Sequence, residues 1–571
     1  MKKILLPLFV AAFAAHGYAQ NTRTPQQLDA GLAKPLGPSI STSGDISAAV
    51  WKEDGTNNMY SAVSMDNGNS WGAAVRIDDD ASGANKFAND LGLAVSGGNI
   101  YAVWSDDRNA AGDADPMFTM SSDGGATWSA NLALPKGYPS GANDIKAWKL
   151  MADGNTVALV VATENDGGGS QEELFVTVST DAGATWSAAT AASTHPNGTV
   201  DVDAMSAALA LGTIHMTWQD NVSGTNEAFY SSYDIASGLL TAQDVLVSAG
   251  LAGGTVENDI FIAATGYTVA IGMQADNLPT SSRHQLNINV STDGGATWGG
   301  DVLVGGYVAG TDDTDHPVLA VTRSGNVIAA CEDNRNGSDE MFAHTSTDGG
   351  ATWTEAGPFG GGGFPSIAGE GDYVAINWTG PSYPEGSMAV ASRDGGVTWG
   401  TTIDLAAGQV NDADYAELAY NGLYNNFIGV WLDDSATGTN EMFAGGFRVP
   451  GLTGNGPFTA GSPVNFTGAG WGESEAGDTF MVLVSTAGGY GSAFLPGDGR
   501  DIGIGMSPIL MTTSSMASLM GTVAPDGSAS TPVLTMPSRF PVGTMLYTVA
   551  LTRRTSGGFS SISDSLTVEV E

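Results

Sequence analysis

The sequence predicts an all-β fold in which eight four-stranded blades close into a ring, a β-propeller, followed by a small C-terminal β-sandwich. Three observations predict it. One eight-residue pattern, S-x-D-x-G-x-[ST]-W, occurs six times. A strand-like segment ending in a bulky residue recurs eight times, mostly upstream of those copies. The 571 residues include 79 glycines and only 14% charged residues, and no long apolar segment has a 3.6-residue period. Tight turns and short strands repeated about every 50 residues describe propeller blades. Seven or six blades are the alternatives if the repeats are irregular.

Residues 291–298 read S-T-D-G-G-A-T-W and recur letter for letter at 346–353. Variants occupy 64–71, 121–128, 179–186 and 392–399. The aspartates Asp66, Asp123, Asp181, Asp293, Asp348 and Asp394 suit a turn, because a short carboxylate can accept N–H bonds from its own loop. The Gly two residues after each Asp supplies positive φ without a steric penalty. The Trp then anchors the start of the next strand. Each copy therefore reads as a hairpin connection with a structural Asp. The pattern resembles the Asp-box, or bacterial neuraminidase repeat, of sialidase-like β-propellers. That resemblance implies the fold but not the activity, since many Asp-box propellers are not sialidases.

The pattern's tryptophans stand at 71, 128, 186, 298, 353 and 399, so the gaps are 57, 58, 112, 55 and 46. The double gap places a decayed copy near 233–238, Y-D-I-A-S-G. The strand-like segments end in Trp51, Trp104, Val161, Trp218, Met273, Cys331, Trp378 and Trp431. Eight such positions give eight repeats over residues 38–450. The last repeat lacks an outer strand, and residues 27–37 resemble the outer strand at 129–136. The segment 20–37 is therefore expected to close the last blade and cover an exposed edge.

Residues 451–571 contain no copy of the pattern. Alternating stretches at 479–484, 545–551 and 566–570 suggest the C-terminal β-sandwich. Residues 1–19 read as a signal peptide: Lys2 and Lys3, an apolar run, then Gly17, Tyr18 and Ala19, with cleavage expected after Ala19. The mature chain is expected to be secreted, periplasmic or at the cell surface, with no membrane span, and monomeric. Cys331 is the single cysteine, so no intramolecular disulfide can form.

The formal charge is −41. Loss of Lys2 and Lys3 leaves 18 basic against 61 acidic residues, or −43. Such a surface argues against nucleic acid and anionic membranes as partners and admits glycans, proteins or divalent cations.

In a propeller blade the A–B and C–D turns share one face and the B–C and D–A connections share the other. The repeats are C–D turns, so a site is expected on the opposite face. Just before strand A stand Asp90, Asp144, Asp203, Asp259, Asp315 and Asp414, candidate ligand-binding residues. Just after strand B stand Glu53, Asp106, Asp220, Asp333 and Asp433, candidate metal ligands, with Ca²⁺ as the ion such oxygens could hold. The stretches 78–80 and 312–316 add carboxylates and His316 to that face. The competing reading is that these carboxylates accept backbone N–H groups and staple the blades. The His residues are dispersed along the chain and none has zinc spacing.

Sialidases bind the sialic-acid carboxylate with three arginines and use a Tyr–Glu nucleophile pair and an acid/base Asp. Here Arg323 and Arg393 belong to the turn face and Arg76 to an outer strand. Arg108, Arg283 and Arg335 belong to B–C loops. The tetrapeptide at 447–450, F-R-V-P, resembles a sialidase motif but follows the last repeat instead of preceding the first. No catalytic residue is carried over. The expectation is an extracellular binding or scaffold module for glycan or protein, with Ca²⁺ as its candidate cofactor. The alternative is a glycoside hydrolase of sialidase-like fold, an exo-sialidase or an enzyme acting on a neutral glycan.

Overall fold

The computed structural model describes residues 21–32, 34–81, 86–109, 113–164, 172–194, 202, 204–222, 224–250, 255–276, 284–305, 313–381, 385–407, 413–421, 426–434, 440–448, 451–455, 462–469, 478–485, 519–524, 528–535, 544–553 and 559–570. The segment 1–19 lies outside them. The described residues contain strands and turns, and no helix long and apolar enough to cross a membrane.

Eight antiparallel sheets form an eight-bladed propeller. Blade 1 takes strands A to D from Pro35–Ser43, Ile46–Glu53, Met59–Ser64 and Val75–Arg76. Strand A begins at Lys86 in blade 2, Ile145 in blade 3, Met205 in blade 4, Thr255 in blade 5, Thr314 in blade 6, Gly363 in blade 7 and Ala413 in blade 8. Neighbouring A strands touch all the way round, including blade 8 with blade 1.

The eight strand-B positions read from the sequence are the core of the blades. Trp51, Val161, Trp218, Met273, Cys331, Trp378 and Trp431 are 0% exposed and Trp104 is 1% exposed. Burial of a large apolar side chain contributes roughly 1.5–3 kcal/mol.

The six repeated octapeptides are the C–D turns, and their bonding follows the residue types. In blade 2, Ser121 Oγ donates to Asp123 Oδ1 at 2.8 Å and accepts the Gly125 N–H at 2.9 Å. Asp123 also accepts the Thr127 N–H at 2.9 Å and hydroxyl at 2.6 Å. These bonds hold the carboxyls of Asp123, Asp181 and Asp293 down to about 2, the Thr bonds contributing most. The turns abut the A–B turns: the Gly294 N–H donates to Tyr267 O at 2.8 Å and that of Gly395 to Asp372 O at 2.9 Å. Blade 4 keeps only a remnant, in which Asp234 accepts the Ser237 N–H at 2.7 Å.

The tryptophans of the turns do not start the D strands in most blades. Trp71 precedes strand Val75–Arg76, and Trp128 precedes Leu132–Ala133. They are mostly half-buried and reach the preceding blade: Trp186 meets Phe118 edge-on at 5.2 Å, and Trp298 meets Tyr230 at 4.8 Å. They are staples between blades as much as anchors within one.

Blade 8 receives its outer strand from the N-terminal end. Asn21–Thr22 and Gln26–Gln27 pair antiparallel with Glu441–Arg448. The pairing residues are thus 21–27 rather than 27–37, because Pro35–Ser43 is already strand A of blade 1. Leu28 sets this register: it is 3% exposed, donates its N–H to Met442 O at 2.7 Å, and sits in a cluster with Ile40, Trp51, Ile428 and Val430.

In the C-terminal segment, one sheet holds Gly451–Asn455, Pro463–Ala469, Ala529–Ser530 and Leu534–Thr535. A second holds Met520–Thr522, Thr479–Ser485, Met545–Arg553 and Phe559–Glu569. Phe466 of the first and Phe480, Val482 and Ala550 of the second share one buried cluster.

Candidate functional site at the mouth of the central channel

The two ends of the channel differ in chemistry. At the turn end, a cavity of about 360 Å³ is lined by residues including Thr42, Ala264, Leu319, Ala368 and Tyr420, with no carboxylate, imidazole or amine. A cluster of histidines and carboxylates lies at the other end, where the A strands begin.

There the A strands are bulged. In blade 6, Asp315 pairs with Glu332 and Val318 with Ala330, so His316 and Pro317 together oppose Cys331. In blade 7, Phe364 and Pro365 oppose Trp378. In blade 8, Tyr415 and Ala416 oppose Trp431. In blade 1, Gly37 and Pro38 oppose Trp51. The first bulge residue is left-handed in all four, with φ of 55° at Gly37, 47° at His316, 56° at Phe364 and 52° at Tyr415. Such a conformation costs a non-glycine residue about 1–2 kcal/mol. Bulges of this kind re-aim side chains and concentrate beside functional sites. Here they leave two aromatic side chains largely in solvent, Phe364 at 60% and Tyr415 at 66% exposure.

Beside them is a histidine–carboxylate cluster. His316 Nδ1 lies 2.8 Å from Glu332 Oε1, and the two rings of His316 and Phe364 are 4.5 Å apart. Glu332 Oε1 also accepts the Phe364 N–H. A Cβ at Gly363 would stand 2.8 Å from the Glu332 carboxylate, so any larger residue there must push that carboxylate aside. The Glu332 bond raises the His316 imidazole above its ordinary value, with Asp259 and Asp315 adding to it. Burial raises the Asp259 carboxyl, opposed by His316 and His284. Asp339 is also raised, by burial first and then by Glu332, Asp315 and Asp313.

The acids read from the sequence are divided by the structure. Asp144 accepts the Ala114 N–H of the preceding blade at 3.1 Å and the Ile145 N–H at 2.9 Å. Asp315 accepts Gln274 Nε2 at 2.7 Å. Asp259 lies within strand A of blade 5, in its bulged part, rather than before it. Asp90 and Asp414 also lie within A strands, with side chains outside the described set, and Asp203 lies outside the described residues.

Four of the five acids after strand B are held by their own loops. Asp106 accepts the N–H of Arg108 at 2.9 Å and its guanidinium at 2.7 Å. Asp333 repeats this, accepting the Arg335 N–H at 2.8 Å and its Nε at 2.9 Å. Asp220 accepts the Val222 N–H at 3.1 Å, and Glu53 accepts Thr56 Oγ1. Asp433 is fully buried. Nothing draws these acids together around one point: of all eleven candidates, the metal-spaced group among the described residues includes only Asp315. Arg108 and Arg335 also pair with Asp79 and Glu355, and Arg76 with Asp78, so these guanidinium groups are engaged away from the channel mouth.

Sequence reading missed Glu332, Phe364 and Tyr415. Only Phe364 carries a linear signal, a Pro after it at the start of strand A, as in His316-Pro317 and Gly37-Pro38; Tyr415 is followed by Ala416 and Glu332 by Asp333, so neither is marked.

The chain matches no family model and no curated protein. Among solved structures it is similar to a polysaccharide lyase, the PL25 ulvan lyase bound to -[GlcA(1-4)Rha3S]-, at 12% identity and a TM-score of 0.41, covering 75% of this chain and 94% of that one. An α-L-arabinanase of Penicillium chrysogenum in complex with arabinobiose aligns at 14% identity and a TM-score of 0.36, covering 69% and 99%. A Hadza microbial sialidase aligns at 17% identity and a TM-score of 0.33, covering 68% and 73%. Likenesses this remote say nothing of ligand or activity.

Proposed function

We propose that this is an exported binding module whose propeller mouth, on blades 6 to 8, takes a neutral polysaccharide. The observation that carries the reading is the pair of exposed aromatic side chains, Phe364 and Tyr415, held out on left-handed bulges of neighbouring blades. Sugar rings present apolar C–H faces that stack on such rings. Glu332, Asp259 and His316 supply acceptors and donors for the hydroxyls. The net charge of −41 disfavours an anionic glycan. Export rests on residues 1–19, and a mature N-terminus at Gln20 is the expected result of sequencing the secreted protein.

The test is affinity electrophoresis and calorimetry of the mature protein against neutral polysaccharides, with Phe364→Ala and Tyr415→Ala beside the wild type. Loss of one stacking partner is expected to weaken binding about fivefold, in line with roughly 1 kcal/mol per aromatic contact. Unchanged binding in both variants, or no binding to any neutral polysaccharide, would refute the proposal.

A hydrolytic reading is favoured by one observation, the raised carboxyl of Asp259, since a glycosidase acid must hold its proton near neutrality. Release of new reducing ends by the wild type, lost in Asp259→Asn, would move the protein from binding to catalysis.

A further inference from the structure

One side chain near this mouth has no part in the stacking platform or in the backbone staples. His284 stands immediately before strand C of blade 5, Gln285–Ser291. Its ring is 28% exposed, yet Nδ1 itself is shut off from solvent and has no hydrogen-bond partner among the described residues. Nδ1 lies 3.6 Å from Asp313 Oδ1 and 3.7 Å from Asp315 Oδ1. Those distances exceed a hydrogen bond. They are the separations of two donors sharing an ion at about 2.0–2.2 Å from each. The three donor atoms all lie within 4.8 Å of one another.

We infer that His284, Asp313 and Asp315 form a divalent-metal site joining blade 5 to blade 6. The carboxylates are already oriented for it. Gln274 Nε2 donates to Asp315 Oδ1 at 2.7 Å, and the His284 N–H donates to Asp313 Oδ1 at 2.7 Å. The Thr314 N–H donates back to His284 O at 3.0 Å, which locks the two segments together. Such supporting bonds hold ligands in place and tune a metal. One imidazole nitrogen with two carboxylates selects a borderline ion such as Zn²⁺, because Ca²⁺ and Mg²⁺ take sets of oxygens. Two carboxylates balance the charge, and three protein ligands leave a position for water.

The site stands independently of glycan binding. The mature protein is stripped with EDTA, dialysed and titrated with Zn²⁺ alone, read by calorimetry and by thermal unfolding. One equivalent is expected at micromolar Kd or tighter, with a midpoint that rises with Zn²⁺ concentration. His284→Ala is expected to abolish both responses, and Asp313→Asn, a milder change, to weaken binding at least tenfold. Phe364→Ala is expected to leave Zn²⁺ binding unchanged. Absence of binding at 100 times a micromolar Kd, or binding that survives unaltered in both ligand variants as at adventitious surface sites, would overturn the inference. A response to Ca²⁺ but not to Zn²⁺ would overturn it equally.

Discussion

Replacing Phe364 by Ala and, separately, by Gly isolates the backbone device that builds the channel mouth. Both variants lose the same ring beyond Cβ, so the lost contacts largely cancel in the comparison. What remains is the backbone. Phe364 has φ of 56°, where an L-residue with a Cβ is strained by about 1–2 kcal/mol and Gly is not. Against this, Gly loses more chain entropy on folding than Ala, by about 0.5–1 kcal/mol. The difference leaves Phe364→Gly more stable than Phe364→Ala by about 0.5–1 kcal/mol, or about 0.5–1 °C in midpoint for a chain of this size. In an ordinary extended strand the order is the reverse. Scanning calorimetry on the two variants reads the sign directly, and glycan titration should show both equally impaired. If Ala proves as stable as Gly or more so, the left-handed bulge is wrong, and with it the account of why this ring is held out in solvent.

Three further outcomes follow from the same geometry. Leu28→Ala should cost about 2–4 kcal/mol, because Leu28 is 3% exposed between blades 8 and 1, and limited proteolysis should then release the N-terminal strand first. Asp123, Asp181 and Asp293 are held at about 2, below an ordinary carboxylate, so their contribution is complete above about pH 4 and is lost as pH falls through 2. An acid titration followed by tryptophan fluorescence should therefore show unfolding below pH 4, and the triple Asn variant should lose that part of the slope. Gly363→Ala should weaken glycan binding several-fold at nearly unchanged core packing, because its Cβ would displace the Glu332 carboxylate that holds His316 and the Phe364 amide. Calorimetry showing unaltered affinity would remove Glu332 from the site.

The blade count, the turn clasps and the buried strand-B column were legible in the linear chain because each is local. The Ser121–Asp123–Gly125–Thr127 bonds close within seven residues, so any copy of the octapeptide forms the same turn wherever it occurs. The column from Trp51 to Trp431 repeats because every blade buries an apolar group in the same place, a Trp in five of the eight. Contacts between blades leave no such trace. Leu28 finds its place from Met442, more than 400 residues away, and neither residue announces the other. The acids after strand B look like a ring in the sequence, yet Arg108 and Arg335 engage two of them within their own loops. His284 is separated from Asp313 and Asp315 by strands C and D of one blade, so their meeting depends on how blade 5 joins blade 6. The left-handed bulges at His316, Phe364 and Tyr415 are the sharpest case. Nothing in the aromatic residue types of Phe364 and Tyr415 favours positive φ, and only the fit of each A strand against its buried column imposes it. The sequence by itself therefore determined the repeating scaffold, because a repeat is written by short-range bonds. The tertiary structure decided the chemistry at the channel mouth, because that chemistry is assembled from single residues of different blades.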